Sequence, residues 1–171
     1  MIALTIEETR PFMAALLTKD LFDRFLLREA TVVTFCTYTI DGSWQKAYFG
    51  DDEPADSDSP RRPAASLTPW SYLRAHVFDL IKGQHTPLSM KLVFQYPADL
   101  TEALLEKENL SSALPSVYGL YLNLRFENGK ILLTTGSAQQ SFPPSHDVDH
   151  AWDRAVKDLL TDAGLSFSDI S

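Results

Sequence analysis

The sequence predicts an α+β protein in which a β-α-β-β-α unit occurs twice, giving a mostly antiparallel sheet with helices on one face. A shift of the chain against itself by 88 positions indicates the repeat, because it superposes identical residues without a gap. The superposed pairs are Leu4 with Leu92, Ala15 with Ala103, Leu16 with Leu104, Leu17 with Leu105 and Lys19 with Lys107. We therefore interpret residues 1–171 as a single domain with a first half, residues 1–83, and a second half, residues 88–164.

Elements of the first half follow from hydrophobic spacing. Residues 2–6 predict a strand, and a helical pattern follows it. Residues 26–40 alternate as one long strand, whose core face would carry Leu26, Ala30, Val32, Cys36, Tyr38 and Ile40. Asp41-Gly42 predicts a hairpin turn into a further strand over residues 44–49. Residues 50–68 are rich in Pro, Ser and Asp and predict an exposed insertion.

The remaining elements repeat this order. Thr68-Pro69 is a helix start signal, and Trp70 opens a helical stripe that Gly83 closes. Strand patterns over residues 90–96 and 120–126 enclose a helix, and Asn128-Gly129 predicts the next hairpin turn. Trp152 lies on the apolar stripe of the last helix. Both Trp side chains are therefore expected to be buried against the sheet.

The composition limits the possible functions of this chain. Fifteen basic against 23 acidic side chains give a formal charge of −8 over 171 residues, which disfavours nucleic-acid binding because phosphates need clustered Lys and Arg. The single cysteine, Cys36, permits no disulfide within the chain. No basic signal segment and no long apolar run are present, so we expect a cytoplasmic protein without membrane insertion.

A candidate binding surface follows from the alternation of the central strands. If Leu92, Phe94 and Leu122 face the helices, the intervening side chains face the other way. Those side chains include Lys91, Gln95, Tyr121, Asn123 and Arg125. They are either the solvated side of an antiparallel sheet or a partner surface. The apolar Val33 and Phe35, expected on the same side, favour the partner surface.

His146 and His150 form an alternative site. Histidines four residues apart on a helix present both rings on one face, as zinc sites require. No third ligand is evident, and Asp147 and Asp149 are explained by the dipole at the start of a helix. We therefore predict no metal and no cofactor. Cys36 is expected to be a small buried side chain rather than a nucleophile.

Three stretches carry a resemblance to a known family. They are IALTIEETRPFMAALLTKDLFDRFLLREATVVTFCTYTIDG, WSYLRAHVFDLIKGQHTPLSMKLVFQ and YLNLRFENGKILLTTG. In these stretches the chain resembles a family of small bacterial proteins of unknown function, which implies no activity. More remotely, the repeated unit is similar to the arrangement in sliding DNA clamps and the TATA-box binding protein, an analogy of fold alone.

Two functions remain open from the sequence. The first is a non-enzymatic binding module whose polar sheet face meets a protein partner or a second copy of the chain. The second is a small metal-assisted hydrolase that uses His146 and His150. A pocket with converging ionisable groups would favour the hydrolase, whereas an open sheet face would favour the module.

Overall fold

The computed structural model describes residues 1–49, 66–140 and 144–170. Within them lies one eight-stranded antiparallel sheet with the order β3-β2-β5-β6-β7-β1-β8, and β4 pairs with β2 beside this path. The strands are β1 Ala3–Ile6, β2 Leu26–Val33, β3 Thr37–Asp41, β4 Thr68–Pro69, β5 Ser89–Gln95, β6 Val117–Glu127, β7 Lys130–Gln139 and β8 Phe167–Asp169. The helices are α1 Thr9–Leu17, α2 Lys46–Phe49, α3 Trp70–Ile81, α4 Ala98–Lys107 and α5 His146–Asp162, with a 3-10 helix at Ser111–Ser116.

The main helices cover one face of this sheet. In β6 the side chains of Leu120, Leu122, Leu124 and Phe126 are buried, while the residues between them are partly or fully exposed. The same alternation runs through β5, where Leu92 is buried. One face therefore forms the core with the helices, and no helix of the described residues covers the other. The predicted α+β class is confirmed.

Aromatic side chains fill the core between the sheet and the helices. The Phe22 ring stacks on the Phe94 ring with centroids 6.2 Å apart, and its centroid lies 5.7 Å from that of Phe12. Trp70 meets Phe94 edge-on at 5.2 Å. Trp70 and Trp152 are 0% and 2% exposed, which confirms their predicted burial. Each begins or lines a helix whose apolar stripe packs on the sheet, so helical spacing predicted this contact correctly.

The strand predicted over residues 26–40 is wrong, because the chain folds back within it. β2 and β3 form a hairpin, and the Thr34 N–H donates to the Cys36 carbonyl at 2.9 Å. Residues that pair across a hairpin, such as Val32 and Tyr38, project on the same face of the sheet. The alternation of inward and outward side chains in the sequence therefore continues through the turn, as it would in one unbroken strand. The turn exposes Cys36, which corrects its predicted place in the core.

The segment after β3 also departs from the prediction. The chain does not reverse at Asp41-Gly42, and Lys46–Phe49 form the short helix α2 instead of a strand. The Gly42 N–H donates to the Arg28 carbonyl at 3.0 Å, and the Gly42 carbonyl accepts the Thr68 N–H at 2.8 Å. Gly42 thus joins β2 to β4. Asn128-Gly129 does form the predicted turn, with φ of 52° and 73°.

The two halves share an order of elements but not a pattern of pairing. β1 lies between β7 and β8, whereas β5 lies between β2 and β6. The 88-residue shift also places the β2–β3 hairpin on the single strand β6. The pairing therefore gives no support to an internal repeat. Amphipathic elements share Leu- and Ala-rich patterns, so identities within them arise without a repeated fold.

Most of the insertion predicted over residues 50–68 lies outside the described residues. Its last residues are described and belong to the sheet region: Leu67 is 9% exposed and Thr68 pairs with Leu27 of β2. Thr68 Oγ1 donates to the Gly42 carbonyl at 2.8 Å. The chain therefore rejoins the fold before the start of α3.

Candidate functional site on the open sheet face

All five predicted binding residues lie on the side of the sheet that carries no helix in the described part of the chain, called the open face below. They occupy the neighbouring strands β5 and β6. Lys91 pairs with Arg125, and Gln95 pairs with Tyr121. Asn123 pairs with Val93 between them. Because paired residues in antiparallel strands project on the same side, the five side chains form one continuous patch.

The patch contains a shallow depression. Its volume is about 560 Å³, and it is lined by Thr31, Lys91, Asn123, Arg125, Glu127 and Thr134 among others. The depression lies over the β5–β6 ladder, and Thr31 of β2 and Leu132 and Thr134 of β7 border it. Such a shape offers side-chain contacts to a surface rather than an enclosed cavity to a small molecule.

Ion pairs on the open face are weak. Lys91 Nζ lies 3.3 Å from Glu29 Oε1, and Arg125 lies 2.7 Å from Glu127. The side chains of Lys91 and Arg125 are 59% and 65% exposed. Exposed pairs of this kind contribute about 0–1 kcal/mol, so both cations can exchange their partners at little cost.

Arg28 extends the patch and was missed by the sequence argument. Its guanidinium lies 5.5 Å from the ring centroid of Tyr121, and Nη1 donates to Gln95 Oε1 at 3.3 Å. The β2–β5 register shifts between Leu27 and Glu29, so the strand bulges at Arg28. Strict alternation back from the buried Ala30 and Val32 would have placed Arg28 on the core face. A charged residue at a core position was the signal of the bulge.

The apolar residues expected here divide between two places. Val33 is half-buried on β2 and pairs with Ser89 of β5. Phe35 lies in the β2–β3 turn rather than in a strand, and it is 92% exposed. Its ring meets Tyr38 edge-on at 6.3 Å. Phe35 therefore belongs to one edge of the sheet and not to the patch.

A second concavity lies on the helix side, between α4 and α5. Its volume is about 490 Å³, and Phe25, Tyr96 and Trp152 form an aromatic floor. The Tyr96 and Trp152 rings are 4.7 Å apart. Burial raises the pKa of the Tyr96 hydroxyl. Charged side chains ring this groove, and Arg154 pairs with Glu108.

Asp153 is a buried carboxylate with both oxygens engaged. Oδ1 accepts from Thr135 Oγ1 at 2.5 Å, and Oδ2 accepts from the Met1 ammonium at 2.9 Å. The Ile2 N–H donates to Thr135 Oγ1 at 2.9 Å. This network ties α5 to β7 and to the start of the chain. Its groups are satisfied, which is the usual condition of buried polar groups in a core.

His146 and His150 lie at the start of α5, and both are exposed. Asp149 accepts a hydrogen bond from Ser137 Oγ at 2.5 Å, which holds it against β7. Among the residues described in the structure, no group of three or more His, Cys, Asp or Glu side chains could hold a metal ion. The described part of the chain therefore supplies no third ligand for the histidine pair.

Comparison with known proteins places the chain by sequence. The model of DUF5721, a family of unknown function, matches residues 15–168. The chain belongs to this family. No curated protein matches it, and no solved structure matches it. The expected resemblance to a family of unknown function is confirmed, and the analogy with sliding clamps and the TATA-box binding protein has no support. No helix in the described residues is long and apolar enough to span a membrane.

Proposed function

We propose that this DUF5721 protein is a non-enzymatic interaction module that binds another protein through the open face. The observation that carries the proposal is the uncovered side of the sheet, on which Arg28, Lys91, Tyr121 and Arg125 are neighbours. Among the described residues, helices pack only on the opposite side of the sheet. The cytoplasmic location expected from the sequence stays a prediction.

The open face has the size of an interface. Six spacings of about 4.8 Å separate its outermost strands, and seven residues of about 3.3 Å each span its length. The face therefore covers at most about 670 Å², somewhat less than the ~800 Å² that each partner contributes to a standard protein interface. A small ligand would use only a fraction of this surface.

Charge on the open face favours a protein partner over a nucleic acid. Basic and acidic side chains are mixed on this face: Arg28, Lys91, Arg125 and Lys130 lie among Glu29, Asp41 and Glu127. Phosphate binding needs a clustered excess of cations, and four cations against three anions leave an excess of only one. Mixed charge around Tyr and Arg side chains is typical of protein interfaces, where these two residue types supply most anchors.

The double variant Tyr121→Ala/Arg125→Ala tests the proposal. We expect it to keep the wild-type circular dichroism spectrum, because both side chains project away from the core, and to lose the partner. Quantitative mass spectrometry of proteins captured by the wild type and the variant, followed by titration of the purified partner, measures the loss. We expect binding to weaken at least about tenfold, since interface anchors contribute 2 kcal/mol or more.

A matched control is Arg10→Ala/Tyr72→Ala, which removes the same two residue types from helices α1 and α3. Arg10 is exposed, and Tyr72 is 38% exposed. This control must retain the partner that the first variant loses. Equal capture by both variants contradicts the proposal, and so does unfolding of the Tyr121→Ala/Arg125→Ala protein, because the face would then be core.

A further inference from the structure

The sheet has two edges of different character. At one edge β8 is only three residues long, and its Asp169 pairs with Lys157 of α5 at 2.8 Å. At the other edge β3 runs over five residues and pairs with β2. In the described part of the chain no segment pairs with the outer side of β3. An open edge strand carries a row of free backbone donors and acceptors.

Hydrogen bonds at both ends of the β2–β3 ladder fix which groups of β3 point outward. The Thr34 N–H donates to the Cys36 carbonyl, and the Gly42 N–H donates to the Arg28 carbonyl. In an antiparallel ladder every second pair exchanges both bonds, so Tyr38 and Ile40 bond to β2. The N–H and C=O groups of the alternate residues therefore face away from the sheet. These residues are Thr37, Thr39 and Asp41.

The outward groups are complementary to themselves. If two copies of β3 run antiparallel with Thr39 opposite Thr39, Thr37 lies opposite Asp41 in both directions. Every outward-facing residue then meets another outward-facing residue, as closely spaced antiparallel pairs require. A shift of the register by one residue would place outward groups against inward ones. The centred register gives up to six backbone hydrogen bonds related by a two-fold axis.

Side chains fit the same register. Tyr38 would lie opposite Ile40, an aromatic and β-branched pair of the kind that stabilises sheets, and both are half-exposed in the single chain. Thr39 meets its own copy, and Asp41 meets a neutral Thr37, so no like charges are opposed. β3 contains no Lys and no Pro, the residues that commonly protect an edge.

We propose that β3 is a dimerisation edge, through which two copies of this chain pair antiparallel in the register centred on Thr39. The exposed Phe35, packed edge-on against Tyr38, lies beside the same edge and would be covered by the second copy. Such a dimer leaves both open faces uncovered on one continuous sheet. The inference does not depend on the function proposed for the open face.

Disulfide trapping tests the register. In the background Cys36→Ser, the variant Thr39→Cys would place two thiols across the two-fold axis, with Cα atoms about 5.5 Å apart and within reach of a disulfide. Diamide oxidation should therefore give a dimer on a non-reducing gel. The control Thr37→Cys should not, because two copies of position 37 lie about 13 Å apart along the strands. Equal crosslinking of both variants, or of neither, overturns the register.

Sedimentation velocity over a concentration series tests association without crosslinks. Wild type should be dimeric, and Thr39→Pro should raise the dissociation constant at least about tenfold, because it removes one outward donor from each copy. Thr39→Val keeps that donor and should remain dimeric. Thr39→Lys places two cations opposite each other, so this variant should be monomeric, and the conclusion then does not depend on any effect of proline on folding.

A monomeric wild type, or a Thr39→Lys protein that remains dimeric, overturns the proposal. If the Thr39→Lys protein is monomeric and still captures the partner of the open face, the dimer edge and the open face act independently.

Discussion

At the scale of single residues, the two buried tryptophans fix the helices on the sheet. Trp70 Nε1 donates to the Leu16 carbonyl at 2.7 Å, which ties α3 to the end of α1. Trp152 Nε1 donates to the Tyr121 carbonyl at 2.9 Å, which ties α5 to β6 directly behind the open face. Each side chain thus combines a large buried area with a satisfied donor.

We expect Trp70→Ala and Trp152→Ala each to lower the free energy of unfolding by about 3–5 kcal/mol, the usual cost of truncating a large core aromatic. Urea denaturation monitored by circular dichroism measures the loss. Trp→Phe at each position is the control, because it retains most of the volume and removes the N–H; it should cost less. A loss below about 1 kcal/mol for either Ala variant would mean that the site collapses around the missing ring.

Gly42 is required by a close approach of the backbone. A Cβ atom at position 42 would lie 1.8 Å from the Leu27 carbonyl oxygen. We expect Gly42→Ala to destabilise the protein by about 3 kcal/mol or more, because backbone atoms of β2 must move. The control Gly136→Ala adds a Cβ that meets nothing within 4 Å, so its thermal midpoint should stay close to wild type. Equal midpoints for both variants would contradict this.

Tyr96 gives a pH-dependent test of the groove between α4 and α5. Burial raises the pKa of its hydroxyl above the ordinary value of 10.0. The unfolded chain therefore ionises first, and the stability present below pH 10 is lost as the pH rises towards the raised value. We expect wild type to lose stability relative to Tyr96→Phe between about pH 9 and 11. Parallel urea curves for the two proteins over this range would show that Tyr96 ionises freely.

At the scale of elements, β2 connects the open face to the edge of the sheet. Its bulge at Arg28 turns that side chain towards Tyr121, and its turn before β3 exposes Phe35. Its first residues pair with β4, where Thr68 closes on Gly42. The strand β2 therefore places Arg28 in the patch and holds β3 at the edge of the sheet. It also pairs with β4, the strand with which the chain rejoins the sheet.

The chain before and after the segment that lies outside the described residues meets at Ser43 and Trp44. The Trp44 N–H donates to the Ser66 carbonyl at 2.9 Å, and Ser43 bridges to Leu67. We expect deletion of residues 51–65 to change the free energy of unfolding by less than about 1 kcal/mol, since closure entropy depends only logarithmically on loop length. Thermal melting measures it. A large fall in the midpoint would show that these residues pack on the domain.

At the scale of the whole molecule, the two sides of the sheet differ in their contribution to stability and in their proposed contribution to binding. The helix side carries the buried aromatics and aliphatics, and the open side carries exposed ion pairs of little energetic weight. Substitutions on the open face should therefore alter association while leaving unfolding nearly unchanged. The Tyr121→Ala/Arg125→Ala protein provides this comparison, because neither side chain contributes to the buried core.

The sequence by itself determined which residues are buried in the second half and which of them share a face. The alternation over β5 and β6 placed Lys91, Tyr121 and Arg125 on one surface, since side chains of a strand alternate whatever its neighbours are. Helical spacing likewise placed Trp70 and Trp152 in the core. These are local properties of the backbone, and a sequence pattern records them directly.

Tertiary structure alone decided the turn before β3, the bulge at Arg28 and the order of the strands. A hairpin preserves alternation when paired residues share a face, so the sequence pattern of residues 26–40 is the same for one strand and for two. A bulge is stabilised by the neighbouring strand, and strand order depends on contacts far apart in the chain. For this reason Cys36 lies at an exposed turn instead of the core, and β3 lies at an edge of the sheet with no outer neighbour in the described residues.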